Sequence, residues 1–425
     1  MAEAENQNGT QLTTADGKPL KVSLRRAERR NKLKAVGLVM PLFLFIFITF
    51  IVPILMMLYR SAENLEVVTY LDDTVAVIEQ WGEGSELPPE PVWAALANDL
   101  REAGEAREIG KVATRLNYEE PGFRSLIMKS SRMVRRVDEP VDSWMQTLID
   151  IDEDWTDPVY WHVIKQQSGA FTISYYLSAI DMQREALTGE IVMAPEYKQI
   201  YQLLFWRTLW MSALITGLTV VLGFPVAFLL ANLPMRKSNL LMIFVLLPFW
   251  TSLLVRTSTW IAILQTEGVL NDVLVWAGVI ADEARIQMIY NKTGTIVAMT
   301  HILLPFMILP LYSVMKTISP AYMRAARSLG ANPVTAFVRV YIPQTIPGVG
   351  AGGILVFILA IGYYITPALV GGRGGQLISN YIAYHMQQSL NWGLAAAIAT
   401  ILLAGVMALY LLYNRIVGID NMKLG

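Results

Sequence analysis

The sequence predicts an all-α polytopic membrane protein: six membrane-spanning helices, with a large and mostly α-helical water-facing insert between the first and the second. Three observations predict it. Of the 425 residues, 54% are hydrophobic and 16% charged, too apolar a balance for an ordinary soluble protein. Several apolar runs reach the roughly 20 residues needed to cross a bilayer. The charges are also segregated: residues 60–205 hold about 26 of the acids against about 13 bases, whereas 284–419 contain no Asp or Glu. One part of the chain faces water and the other does not. There is no cysteine, which excludes disulfides and thiolate metal sites.

Residues 1–34 are polar, and Arg25, Arg26, Arg29, Arg30, Lys32 and Lys34 crowd the end next to the first apolar run. They read as a disordered cytoplasmic tail with a basic anchor. Residues 35–58 form the first span; the run is longer than the roughly 7–15 apolar residues of a cleaved signal peptide. Its basic flank puts the N-terminus in the cytoplasm, so the following domain, 59–205, is exported. That domain carries charges throughout, the turn signal Pro88-Pro89-Glu90-Pro91, and Trp81, Trp93, Trp144, Trp155 and Trp161. Segments 92–106 and 142–150 are amphipathic with helical spacing, and no strand-like alternation is sustained. The acidity of this insert reads first as a solvated surface; the alternative is an electrostatic collector for a cationic substrate or a docking face for a basic partner.

The remaining chain, 206–425, supplies spans at 206–233, 239–264, 294–315, 348–370 and 393–414. Arg236 and Lys237, then Lys316, Arg324, Arg327 and Arg339, then Arg415 and Lys423 all fall on the side expected to be cytoplasmic, while Glu267, Asp272, Asp282 and Glu283 fall opposite. Both termini are therefore expected inside. Trp250, Trp260, Trp276 and Trp392 read first as interface anchors. Arg256 is the one clear charge within a span, where an isolated Arg costs several kcal/mol. It is either a structural residue hydrogen-bonded near the outer interface or a residue of a transport pathway.

Between two of these spans lies a polar loop, 316–347. Ser319 and Pro320 read as an N-cap and first helical position, Gly330 as a left-handed helix end, and Asn332 and Pro333 as a second start. The expectation is a short helix, a glycine turn and a second short helix that stops at Pro343, a shape suited to docking. Gly348, Gly350 and Gly353 spell G-x-G-x-x-G, but no strand precedes them, and close helix packing is the better reading. Gly104 to Lys111 departs from a P-loop in spacing and in Val112, so no nucleotide-hydrolysing site is recognised. His162, His301 and His385 show no metal-like spacing. With no ionisable relay in the last spans and no ATPase of its own, a pore here would draw energy from a partner protein.

Arg324-Ala325-Ala326, then Gly330, then Val340-x-Ile342-Pro343 resembles the EAA motif of binding-protein-dependent ABC importer permeases, with its spacing intact. Residues 250–257, Gly268 to Asn271, Leu304 to Pro310 and Asn391-Trp392-Gly393 follow the order of the spermidine/putrescine branch. The likeness covers about 200–420 and the first helix. It implies the type I permease fold, in a bacterial inner membrane, with ATP and Mg held by a partner and no cofactor in this chain. Implied partners are a cytoplasmic ATPase dimer, a second permease subunit, a periplasmic substrate-binding protein and membrane lipid, with no nucleic acid. Carried over residue by residue, Arg324, Ala325, Ala326, Arg327, Gly330, Ile342 and Pro343 would meet the ATPase, Arg324 standing where the family carries Glu. Trp250, Arg256, Tyr363 and Tyr364 are candidates for the substrate path, the tyrosines through cation–π contacts. A polyamine is the implied substrate; an amino-acid-derived compound, an opine or another small solute is the alternative, and a ligand-sensing receptor a further one. The insert is much longer than the branch's usual outer segment.

Overall fold

The computed structural model describes residues 20–82, 86–138 and 140–417. They divide into two compact units, with the boundary between Tyr59 and Arg60.

The first unit is one long helical rod. Leu20–Ile46 runs through a single wide π turn, Phe47–Ile51, into Val52–Arg60. Residues 28–60 are long and apolar enough to cross a membrane. The helix starts well before the apolar run, which corrects the expectation of disorder over its basic flank. Lys and Arg are good helix formers and simply extend the turn register backward. Residues 1–19 lie outside the described residues.

The second unit begins with the insert. Helices Glu90–Glu105, Ile109–Glu119, Phe123–Val134, Trp144–Ile151 and Pro158–Gln166 enclose an apolar core. The expected segments 92–106 and 142–150 correspond to the first and fourth of these. Trp93, Trp155 and Trp161 are fully buried, with Trp161 ring centroids 4.3 Å from Trp93 and 5.0 Å from Trp155. Burying an indole is favourable only if its N–H keeps a partner. Here Trp93 donates to the Pro88 carbonyl, Trp155 to Ser130 Oγ and Trp161 to the Trp155 carbonyl. An antiparallel hairpin, Met182–Arg184 with Ile191–Met193 and Met182 opposite Met193, closes the insert.

Among the described residues five helices, the N-terminal rod included, are long and apolar enough to span, or six when one bent pair counts as a span. Lys292–Thr317 is the central one, with 61% of its apolar window buried. It packs between Tyr201–Asn232 and Ile342–Gly362 through Met211, Ile215, Leu303, Met307, Leu311 and Val356. Close approach of the last pair needs glycine: a Cβ at 348 would lie 3.0 Å from Val314 Cβ, and one at 352 would lie 2.7 Å from Met307 Sδ. The packing expected of the glycine-rich stretch is thus carried by Gly348 and its neighbour one turn on, Gly352, whereas Gly353 has ordinary space. Trp392–Val417 is the last helix.

Two expected spans are corrected. The run 239–264 is not one straight helix: Met235–Leu246 passes through a short 3₁₀ turn, Leu247–Trp250, and the following segment, Leu253–Trp276, which opens with the helix Leu253–Leu264, departs at 97°. Pro248 removes a backbone donor, Thr251 is extended, and Ser252 Oγ accepts from Val255 N–H to start a new helix. Apolarity alone conceals such a break. The run 348–370 is likewise interrupted at Tyr363, whose extended ψ of 128° ends one helix before Ile365–Val370 begins.

Candidate functional site

The polar loop is built as its punctuation dictates. Ser319 Oγ accepts from Ala321 N–H, Pro320 occupies the first turn, and the helix Pro320–Ser328 follows. Gly330, at φ +90°, ends it: its N–H reaches the Arg327 carbonyl, and Ala331 N–H reaches that of Ala326. This pair of bonds is a Schellman closure, and the left-handed residue it requires favours glycine. Asn332 Oδ1 then accepts from Thr335 N–H at 2.7 Å, and Pro333–Ala336 begins the next helix.

That second helix does not stop at Pro343, as the sequence suggested. It widens through a π turn, Phe337–Tyr341, with Ile342 N–H bonded to the Phe337 carbonyl five residues back, and continues as Ile342–Gly362. Proline is accommodated early in a helical segment because its missing N–H is least needed there. The loop is rooted by aromatic packing. Phe337 stacks on Tyr341 at 5.5 Å, and both meet the edge of Phe228 at 5.4 and 5.2 Å. Lys316 Nζ donates to the Ala231 carbonyl at 3.1 Å. The root therefore joins the loop to the end of Tyr201–Asn232.

Away from the root the loop is open. Arg324, Ala325, Arg327 and Gly330 are exposed and Ala326 is half-buried. Leu329 is 88% exposed, with Tyr322 and Val334 also uncovered. Small side chains flanked by exposed apolar and basic ones make a surface another helix groove can approach closely. Ile342 and Pro343 stand apart from this knob, beyond the π turn. Tyr322, Leu329 and Val334 were not singled out from sequence, where nothing separates them from the loop's other apolar residues such as Met323 and Phe337.

The path candidates separate into groups. Trp250 stands at the corner of the 97° bend and is 74% exposed. Arg256, half-buried on Leu253–Leu264, has an Nε without a hydrogen-bond partner among the described residues. His301 Nδ1 accepts from Trp260 Nε1 at 3.2 Å, with Trp260 on the same helix as Arg256. Tyr364 faces elsewhere, lining a cavity of about 640 Å³ with Arg207, Arg373, Tyr381 and Tyr384. That cavity has two guanidinium groups and no carboxylate. Side chains bond the backbone at the helix break: Ser379 Oγ donates to the Tyr363 carbonyl, and Asn380 Nδ2 to the Tyr364 carbonyl, which also accepts from Ala368 N–H.

At the end of these helices nearest the insert, two further contacts escaped sequence reasoning. Asp181, in the insert, accepts from the N–H groups of Ile200, Tyr201 and Gln202 and so caps the long helix that follows. A carboxylate at a helix N-terminus satisfies free donors and complements the dipole. His385 is buried on Ile378–Gln387, its Nε2 2.7 Å from Tyr201 Oη and its Nδ1 2.8 Å from Ser389 Oγ. Burial holds its pKa down to about 4, so the imidazole is neutral at ordinary pH.

Residues 199–418 match the family model described as the binding-protein-dependent transport system inner membrane component. The spermidine/putrescine transport system permease protein PotB of Haemophilus influenzae is 34% identical over 223 residues, 52% of this chain and 77% of that one. PotB of Escherichia coli is 38% identical over 202 residues, 48% and 72% of the two chains. A crystal structure of a bacterial ABC transporter involved in import of the acidic polysaccharide alginate aligns with TM-score 0.42 and 19% identity, covering 52% of this chain and 80% of that one. With half of the sequence matching the family model, including the whole polar loop, the chain belongs to the inner-membrane components of binding-protein-dependent transport systems.

Proposed function

We propose that the chain is the transmembrane permease subunit of an ATP-driven importer for polyamines such as spermidine and putrescine, or for related small organic cations. The observation that carries this reading is the 34% and 38% identity to two PotB permeases across most of their length. In this reading the exposed knob around Arg324, Ala325, Ala326, Arg327 and Gly330 sits in a groove of a cytoplasmic ATPase dimer. Nucleotide and Mg belong to that dimer. A second permease subunit completes the path, a periplasmic binding protein delivers substrate to the insert side, and both termini are cytoplasmic. Ile342 and Pro343 act as the stiff continuation that carries movement of the knob into the membrane helix. Trp250, Arg256, Tyr363 and Tyr364 remain the path residues, with aromatic faces receiving the cation.

One observation favours a second reading within the same family. The cavity at Tyr364 offers Arg207 and Arg373 and no acid, an environment that suits a substrate bearing a carboxylate, such as an amino-acid-derived compound. The assembled complex with its binding protein distinguishes the two. Spermidine or putrescine is expected to stimulate ATP hydrolysis and tracer uptake into proteoliposomes. Stimulation by an amino-acid-derived compound alone would replace the first reading by the second. In the same assay Gly330→Asp, which puts a side chain and a charge into a left-handed turn, is expected to leave basal hydrolysis present and remove its stimulation. Undiminished stimulation would detach the knob from coupling.

A further inference from the structure

The insert and the stretch 388–393 enclose a cavity of about 450 Å³ that the transport reading does not use. Its walls are held in place from both sides. Tyr118 Oη donates to the Ser389 carbonyl at 2.9 Å. Gly393 lies so close to the Tyr175 ring that a Cβ there would overlap it. Under the cavity Arg115, only 3% exposed, sits 4.7 Å above the same ring and is fully engaged by Asn64, Glu119 and Gln167.

What distinguishes the site is its charge. Lys111 is taken up by Glu108 at 2.7 Å and Arg115 by Glu119 at 2.7 Å. That leaves Glu63, Glu66, Arg60 and Arg124 on the lining, none in an ion pair or a side-chain hydrogen bond among the described residues. Two carboxylates and two guanidinium groups facing one small space cannot be satisfied by a simple ion. A polycation would meet Arg60 and Arg124, and a simple anion would meet Glu63 and Glu66. We propose that this cavity binds a small zwitterion, with a primary ammonium on Glu63 and Glu66 and a carboxylate or phosphate on Arg60 and Arg124. Ammonium and carboxylate occur together in free amino acids, and ammonium and phosphate in a phosphatidylethanolamine headgroup. Because the site joins the insert to the stretch 388–393, in which Asn391 Oδ1 caps the following membrane helix through Leu394 N–H, occupancy would brace that junction.

The test uses the full chain in phosphatidylcholine nanodiscs, titrated calorimetrically with 4-aminobutyrate and with O-phosphoethanolamine. Saturable binding of at least one is expected, with ethylamine and acetate each about tenfold weaker or worse, because each makes only half of the charge-assisted bonds. Glu63→Gln with Glu66→Gln, and separately Arg60→Gln with Arg124→Gln, are each expected to weaken binding about tenfold. These side chains are exposed or half-buried, so the fold should tolerate the changes, which unchanged tryptophan fluorescence would check. In nanodiscs containing phosphatidylethanolamine, loss of probe binding with lipid retained in native mass spectrometry makes the headgroup the source. Unchanged probe binding makes it a soluble zwitterion. Absence of saturable binding by both probes together with no retained lipid overturns the proposal, as does binding that ignores the charge variants. The charge variants separate this site from the cavity at Arg207 and Arg373, where they would leave binding unchanged.

Discussion

The insert and the membrane helices bury apolar side chains to opposite ends. In the insert, Trp93, Trp155 and Trp161 are wholly enclosed and each indole N–H has an oxygen to bind. Among the membrane-length helices beyond it, Lys292–Thr317 is 61% buried over its apolar window, but Tyr201–Asn232 and Trp392–Val417 lie in spans buried by only 28%. In water such exposed apolar surface would be unfavourable at roughly 25 cal/mol per Å². Against lipid tails it is not, and association there rests on close packing and small residues instead. The insert is closed upon itself, whereas the membrane helices keep apolar flanks for lipid or a partner subunit.

The sharpest test of that contrast removes the centre of the closed core. Trp161→Ala is expected to cost the insert about 3–5 kcal/mol, the usual range for deleting a buried aromatic. Hydrogen exchange should then rise across Glu90–Glu105 and Pro158–Gln166 while Lys292–Thr317 stays protected. Equal loss of protection in both regions would mean that the two share one cooperative unit and that the contrast is superficial.

The same contrast explains what could be read from the sequence. Capping residues act over three or four positions, so Ser319, Gly330 and Asn332 each do in the structure what their chemistry announced. Apolar runs announced the spans for the same reason. The break at Thr251 was illegible because hydropathy does not register direction, and Pro248 was compatible with a kink as well as a corner. The passage through Pro343 needed a π turn seated on Phe228, a residue more than a hundred positions away. The role of His385 was illegible because its partner Tyr201 is 184 residues earlier. Arg207 and Arg373 were visible charges beside apolar runs, but only the fold puts them in one cavity with Tyr364.

At the seam between the two regions the expected effect is somewhat smaller. Burial lowers the folded pKa of His385 to about 4 from the ordinary value of 6.5. A lowered pKa means that the neutral form is the one the fold accepts, so its contribution is complete above 6.5 and is lost as pH falls toward 4. The loss amounts to about 3 kcal/mol at most. Thermal unfolding of the purified chain at several pH values should show this acid destabilisation, reduced in His385→Gln. An unchanged pH profile in the variant would assign the acid sensitivity to other groups.

The smallest effect belongs to the exposed knob, which has neither a closed core nor a lipid-facing flank of its own. Asn332→Ala removes one acceptor, that for Thr335 N–H, and a lost N-cap costs about 1 kcal/mol. Because Phe337 and Tyr341 hold the root independently of the cap, global unfolding should shift by no more than this amount. The change should appear instead as faster amide exchange over Pro333–Ala336 and as weaker stimulation of ATP hydrolysis in the assembled complex. If stability fell by several kcal/mol, the knob would be part of the core packing and not a surface presented to a partner. If exchange rose while stimulation held, the first helix, Pro320–Ser328, would carry coupling by itself.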